Sequence, residues 1–297
     1  MIRSAQLLGV LLLAACMPGP PPIQGTGPSG VIWDVAADAP ISRRMLTERL
    51  AKADVVILGE RHDNPVHHAR QAWLVAALAP AGIAFEMVPK ASEEGIAVFL
   101  TEGGAPAEIG PAIGWDRLGW PDWAFYRPIF EAAEGAYIAG GGVPRAAIRS
   151  AMAGGAAGVF GSEAAAFGLD RPLPPPQQQA AEAEMVAAHC DQLPPEVAAP
   201  MVEAQRLRDA RFAEAALRAR ANGGGPVVLI TGNGHARRDR GVPVYLAKAD
   251  PGASVLSLGQ REAEAPDSPA EDLGAEPYDY VWLASPADRE DPCAAFH

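Results

Sequence analysis

Residues 54–65, Asp54-Val-Val-Ile-Leu-Gly-Glu-Arg-His-Asp-Asn-Pro65, decide how this chain is built. Val55 to Leu58 is apolar at every position, so both faces of the strand it forms must be covered. Gly59 permits a tight exit, Asp63 or Asn64 supplies an N-cap, and Pro65 suits the first position of a helix predicted over Pro65 to Ala79. A strand buried on both faces and followed by a helix is the unit of a parallel sheet.

The same signature recurs along the chain. Gly82-Ile-Ala-Phe85, Ala136-Tyr-Ile-Ala-Gly140, Pro226-Val-Val-Leu-Ile-Thr231 and Ala253-Ser-Val-Leu-Ser-Leu258 read as further buried strands, with Val31–Val35 and Tyr278–Ala284 at the edges. Arg43–Lys52 and Pro128–Glu134 read as helices between them. The fold class is therefore α/β, a mostly parallel sheet flanked by helices. From Arg145 to Gly225, about eighty residues separate two strands where a helical crossover needs about a dozen. This stretch is Ala-rich, with helical runs at Gln177–His189 and Glu196–Ala221, and reads as an inserted helical subdomain (residues 145–225) within a sheet domain of residues 31–144 and 226–297.

The N-terminal residues read differently. Arg3, the apolar run Leu7 to Ala15 and the junction Leu13-Ala-Ala-Cys16 have the form of a lipoprotein signal peptide (residues 1–15) cut before Cys16. The run is too short to span a bilayer core, which takes about 20 helical residues, so attachment falls to acyl chains on Cys16. Residues 16–30, rich in Pro and Gly, make a tether. Met17 stands where an aspartate would retain a lipoprotein at the inner membrane, so the expected location is the outer membrane, facing the periplasm or the cell surface. In that oxidising setting the remaining cysteines, Cys190 and Cys293, are expected to form a disulfide that pins the polar tail.

About 265 residues follow the tether, enough for one sizeable core, and 49% of the whole chain is hydrophobic. The net charge is −12, and loss of Arg3 with the signal takes it to −13. That balance, with no basic tract, disfavours nucleic acid or an anionic bilayer surface as a partner.

In an open parallel sheet, ligands lie beyond the carboxyl ends of the strands. Here the first strand runs into Glu60 and His62, the second into Glu86, the third into Gly141-Gly-Val-Pro-Arg145, and the fourth into Gly232-Asn-Gly-His235-Ala-Arg237-Arg238. Two of these turns share the form Gly-x-x-His. Glu60, His62, Glu86 and His235 therefore approach one cavity, as candidates for acid/base work, with His62, Glu86 and His235 as candidate ligands of a divalent metal ion. The structural alternative has the histidines capping helices and Glu86 paired with an arginine.

In the helix after the first strand, Val66, Ala69, Trp73 and Ala77 form the face expected to dock on the sheet. His67 is equally a ligand or a structural residue, and His68 reads as a surface or cap histidine. Trp115, Trp120, Trp123, Phe125 and Tyr126 crowd one loop, either as anchors of irregular backbone or as the wall of a pocket for a flat apolar ligand. Tyr126 is expected in extended backbone before Arg127-Pro128. Arg237 is a candidate carboxylate clamp, with an exposed charge run as the commoner outcome for Arg237, Arg238 and Arg240.

The run Val56-Ile-Leu-Gly-Glu-Arg-His-Asp-Asn-Pro-Val-His-His68 with Gln71, then Ala84-Phe-Glu-Met87, Trp120 to Tyr126, and Ile230-Thr-Gly-Asn-Gly-His-Ala-Arg-Arg238, resembles the ChaN family of haem-binding, iron-regulated lipoproteins in the Tiki superfamily. The resemblance spans about Val55 to Leu246. It implies haem held between the sheet domain and a smaller helical domain, in some members as stacked haems in a homodimer with tyrosine on iron, and a role in haem or iron uptake or storage. On this reading the cofactor-binding candidates are Tyr126, His62, His67, Trp123, His235 and Arg237. The wider superfamily includes metal-dependent peptidases and erythromycin esterase-like hydrolases, and Glu60, His62, Glu86 and His235 match their motifs, so a metal-dependent hydrolase is the alternative. Gly142 departs from the family, which is expected to carry asparagine there.

Overall fold

The computed structural model describes residues 28–291 and 293–294. The expected signal peptide, Cys16 and most of the expected tether lie outside the described residues. Eight strands form one sheet: β1 (Ile32–Asp34), β2 (Ala39–Ile41), β3 (Val55–Glu60), β4 (Gly82–Pro89), β5 (Tyr137–Gly142), β6 (Val227–Gly232), β7 (Val255–Glu262) and β8 (Tyr280–Ala284). Their spatial order is β2-β1-β8-β7-β3-β6-β4-β5. The six strands from β8 to β5 run parallel, and β1 and β2 add an antiparallel edge. The α/β reading is thus what the structure shows. Its continuous apolar strands sit where both faces are covered: every residue of β3 and of β6 is buried.

Helices cover the two faces. On one lie α1 (Arg43–Leu50), α2 (Pro65–Leu78), α3 (Glu93–Thr101), α4 (Ile109–Ile113) and α5 (Trp123–Ala132), around a core that includes Leu58, Leu74, Phe85, Phe130 and Trp282. On the other lie α6 (Arg145–Gly154), α7 (Ala156–Phe160), α8 (Pro175–Ala188), α9 (Pro195–Gly223), α10 (Asn233–Ala236) and α11 (Val242–Ala249). Their core includes Ile57, Leu207, Phe212, Leu229 and Leu246. The segment between β5 and β6 is all helical among its regular elements, and α9 packs along β4, β5 and β6. Its alanines let the helix lie close to the sheet: Ala210, Ala213, Ala216 and Ala219 are fully buried.

Two local expectations are overturned. Helix α2 docks through His67, His68, Arg70, Gln71, Leu74, Val75 and Leu78, while Val66, Ala69 and Ala77 face solvent. The polar side chains go inward because strand ends offer them carbonyls: Gln71 donates to Leu58 O at 3.0 Å, and Arg70 donates to Ser29 O and Leu283 O at 2.7 and 2.6 Å. Second, the aromatic segment is helical where extended backbone was expected. Asp122 caps α5 by accepting from Ala124 N at 2.8 Å, and Pro128 is accommodated inside the helix.

Cys190 and Cys293 are joined by a disulfide with their Cα atoms 5.5 Å apart. The tail is pinned a second time by Arg289, which donates to both oxygens of Asp63 at 2.6 and 2.9 Å and to Glu262 at 2.5 and 2.6 Å.

Candidate functional site

Strand β6 lies between β3 and β4, and Glu60 pairs in register with Gly232. Two strand-borne carboxylates, Glu60 and Glu86, therefore flank a position without a side chain. Glu60 is fully inside. It accepts hydrogen bonds from Tyr126 Oη at 2.7 Å and from His62 Nδ1 at 2.7 Å, and His68 Nδ1 lies 3.2 Å from its other oxygen. Burial alone raises its pKa, but His68 and His62 outweigh that and hold it far below the usual carboxylate range. Glu60 is thus an ionised carboxylate fixed from three sides.

His62 keeps about a third of its side chain exposed. With Nδ1 given to Glu60, its Nε2 points over Gly232, where a Cβ would come within 3.0 Å of it. Burial opposes a charge on this ring, but the hydrogen bond to Glu60 and the field of Glu86 outweigh it, so its pKa is raised. The ring of Trp120 tilts against it with centroids 5.0 Å apart.

Glu86 is also buried, and its donors are already in place: Thr231 Oγ1 at 2.7 Å, Gly232 N at 2.8 Å and Arg208 Nη2. Burial pushes this carboxyl up, but His235 and Arg208 hold it down, at about 2. His235 Nδ1 faces Asp209 at 2.6 Å, its Nε2 lies 3.6 Å from Glu86, and Phe212 meets its ring edge-on. Arg208 and Asp209 both come from α9.

The structure thus brings Glu60, His62, Glu86 and His235 to one end of the sheet. Glu86 is paired with an arginine, and each histidine already gives Nδ1 to a carboxylate. Among the described residues no group of three or more His, Cys, Asp or Glu side chains is arranged to hold a metal ion. The divalent-metal reading of His62, Glu86 and His235 is therefore not supported.

Other candidates sit elsewhere or do other work. His67 is buried, accepts from Arg61 N at 2.8 Å through Nδ1, and has no partner for Nε2. Burial first, then Arg70, press its pKa down to about 3, so it is a neutral core histidine. His68 is not a surface residue: it is buried, stacked on Phe125 and bonded to the His62 carbonyl at 2.9 Å. Tyr126 is wholly buried with its hydroxyl committed to Glu60, and burial together with Glu60 drives its phenol far up. Trp123 packs on Trp115 and Phe130 and donates to Ala107 O at 3.1 Å, as an anchor of the α5 region. Arg237 is clamped on Asp239 at 2.7 and 3.0 Å, with Glu184 at 3.8 Å.

Beside Glu86 opens a cleft of about 490 Å³. Met87, Leu118, Trp120, Val143, Ile148 and Phe212 give it apolar walls, and Glu86, Arg117, Arg145 and Arg208 also line it. Arg208 is paired with Glu86. Among the described residues neither Arg117 nor Arg145 has a carboxylate within 4.0 Å.

A protein-family model for "Haem-binding uptake, Tiki superfamily, ChaN" matches residues 46–246. The chain belongs to the ChaN family. Among solved structures, one described as "Cofacial heme binding to ChaN of Campylobacter jejuni" is 21% identical, with 85% of this chain and 95% of that one covered and a TM-score of 0.65. That likeness is one of fold. The type III effector HopBA1 also aligns, at 15% identity and a TM-score of 0.45, over 81% of this chain and 91% of its own. No curated protein matches this sequence significantly.

Within this ChaN-family chain, three contributors were not legible as site residues. Arg208 and Asp209 stand in the middle of an alanine-rich helix, and a charged pair there was the available signal. Their partners, Glu86 and His235, are 122 and 26 residues away, and only the strand order brings them together. Arg117 lies in the aromatic segment, where the tryptophans drew the reading.

Proposed function

We propose that this chain binds haem in the Trp120 cleft and, carried on a lipid at Cys16 at the outer membrane, serves haem or iron uptake or storage. One observation carries the haem reading. In a chain of net charge −12, Arg117 and Arg145 stand without carboxylate partners among the described residues, on one cleft whose apolar walls include Trp120, Phe212 and Leu118. Haem is a flat apolar ring with two carboxylate arms, so it asks for apolar wall and guanidinium together. A cleft of about 490 Å³ is of ordinary size for such a ligand site. Membership of a haem-binding family supports the same ligand, and the Leu13-Ala-Ala-Cys16 junction supports the anchor.

When bound, haem supplies an iron centre; the chain's own part is to seat the ring, pair its carboxylates and offer a donor atom. Titration of ferric haem into wild-type protein, Trp120→Ala and the Arg117→Ala/Arg145→Ala double variant tests this. The account expects a saturable Soret change at about micromolar haem in the wild type, and binding weaker by about tenfold or more in each variant. A wild type that shows no saturable change, or variants that bind as tightly, contradicts it.

A further inference from the structure

A second cavity, also of about 490 Å³, lies along the end of β5, the strand that closes the sheet order. It shares Pro89, Gly142, Val143 and Pro144 with the Trp120 cleft but none of that cleft's arginines. Helix α9 supplies its long wall. Leu207, Arg211, Glu214 and Arg218 recur at helical spacing, so they form one stripe about 16 Å long on the face turned to the cavity. The stripe has two characters. Leu207 adds to an apolar wall of Val143, Pro144, Ala147 and Val159, while the next three residues, joined by Lys90, form a charged cluster.

Glu214 is shared by three cations: Arg211 at 2.9 Å, Arg218 at 3.3 Å and Lys90 at 3.4 Å. Burial raises the pKa of this carboxyl, but Arg211, Lys90 and Arg218 outweigh that and lower it, so Glu214 is ionised. Glu93 also holds Arg218, at 2.6 Å, and accepts from Gly140 N at 2.8 Å. With both carboxylates counted, three positive charges meet two negative ones. One positive charge is left over, in a chain whose net charge is −12.

The guanidiniums are held in place by the fold. Arg211 donates to Phe160 O at 3.0 Å and lies 4.0 Å over the Phe160 ring. Arg218 donates to Gly140 O at 2.8 Å, and its Nε and Nη1 have no hydrogen-bond partner among the described residues. Donor capacity is therefore fixed beside an apolar wall without being used up within the chain.

We propose that this cavity binds an aliphatic monocarboxylate, its charge set among Lys90, Arg211 and Arg218 and its hydrocarbon chain along the wall of Leu207, Ala147, Val143 and Val159. One negative charge cancels the surplus, and the guanidinium fork matches a carboxylate. A dianion would overshoot, and a neutral lipid would leave the surplus unpaired. The chain gains by leaving water, and the volume is ordinary for a small-molecule site. This site does not depend on the haem reading.

Equilibrium dialysis of radiolabelled decanoate against the full chain, without haem and at neutral pH, tests the assignment. Wild-type protein is expected to bind saturably at about micromolar concentration, and decanol, which keeps the chain and lacks the charge, at least about tenfold more weakly. Lys90→Glu, which reverses the charge of a side chain more than half exposed, and Ala147→Phe, which fills the apolar wall, are each expected to weaken decanoate by at least about tenfold. Trp120→Ala is expected to bind decanoate as the wild type does. Should Ala147→Phe lose its fold by circular dichroism, Lys90→Glu decides. No saturable binding by the wild type, decanol bound as tightly as decanoate, or wild-type affinity in Lys90→Glu overturns the proposal. Decanoate binding lost in Trp120→Ala places the ligand in the other cleft and overturns it too.

Discussion

Acid should destabilise this protein through a histidine that is not part of the cleft. His67 is fully buried at the start of α2, with Arg70, His68, Glu60 and Glu262 acting on it, and its pKa falls from 6.5 to about 3. The sign follows from proton counts. Between those two values the unfolded chain binds a proton that the folded chain refuses, so stability rises with pH across that window and falls as acid is added below 6.5. At roughly 1.4 kcal/mol per pH unit, going from 6.5 to about 4.5 costs the wild type on the order of 2.7 kcal/mol through this residue alone. His67→Asn isolates it, because an asparagine oxygen can accept from Arg61 N as Nδ1 does while carrying no titratable group. Urea unfolding of both proteins at about pH 7 and about pH 4.5 should show the wild type losing roughly 2–3 kcal/mol relative to the variant. A difference between the two that does not change with pH would refute the reasoning, since it would mean that the folded state accommodates the protonated ring.

Other expectations concern the tail and the leader. Cys190→Ser/Cys293→Ser should lower unfolding stability by about 2–4 kcal/mol, with the tail still held by Arg289 on Asp63 and Glu262; alkylation of both thiols in unreduced, unfolded protein would contradict the disulfide. Cys16→Ser should leave an uncleaved precursor or release the protein from the membrane, and mass spectrometry of a mature chain without lipid on Cys16 would contradict the anchor. Glu86→Gln should weaken folding most at neutral pH, because a carboxylate held at about 2 contributes its stability above its unfolded value of 4.5 and loses it as pH falls towards 2. Equal losses for the variant at neutral and strongly acidic pH would show that the charge on Glu86 is not what matters.

The strands that build the site could be read directly, because Val55 to Leu58 and Val227 to Ile230 are apolar without interruption and only a doubly covered strand needs that. Strand-end placement then picked out Glu60, His62, Glu86 and His235. Helix α2 was harder. Its inward face is His67, His68, Arg70 and Gln71, and a polar face goes inside only when backbone acceptors wait for it, which no pattern of hydrophobicity reports. Pro40 sits in the three-residue edge strand β2, too short and too irregular to register as one. Tyr126 lies on Glu60 as a buried donor to the carboxylate, a contact that no pattern in its own segment reports. Arg208 could be placed only through the β3-β6-β4 order, since α9 reaches Glu86 from far along the chain.

The central claim is that the cleft lined by Trp120, Arg117 and Arg145 receives haem, and a crystal structure of the haem-loaded protein tests it most directly. The account predicts the ring against Trp120 and its carboxylate arms on Arg117 and Arg145. Haem seated elsewhere, with Trp120 and both arginines uncontacted, would contradict it.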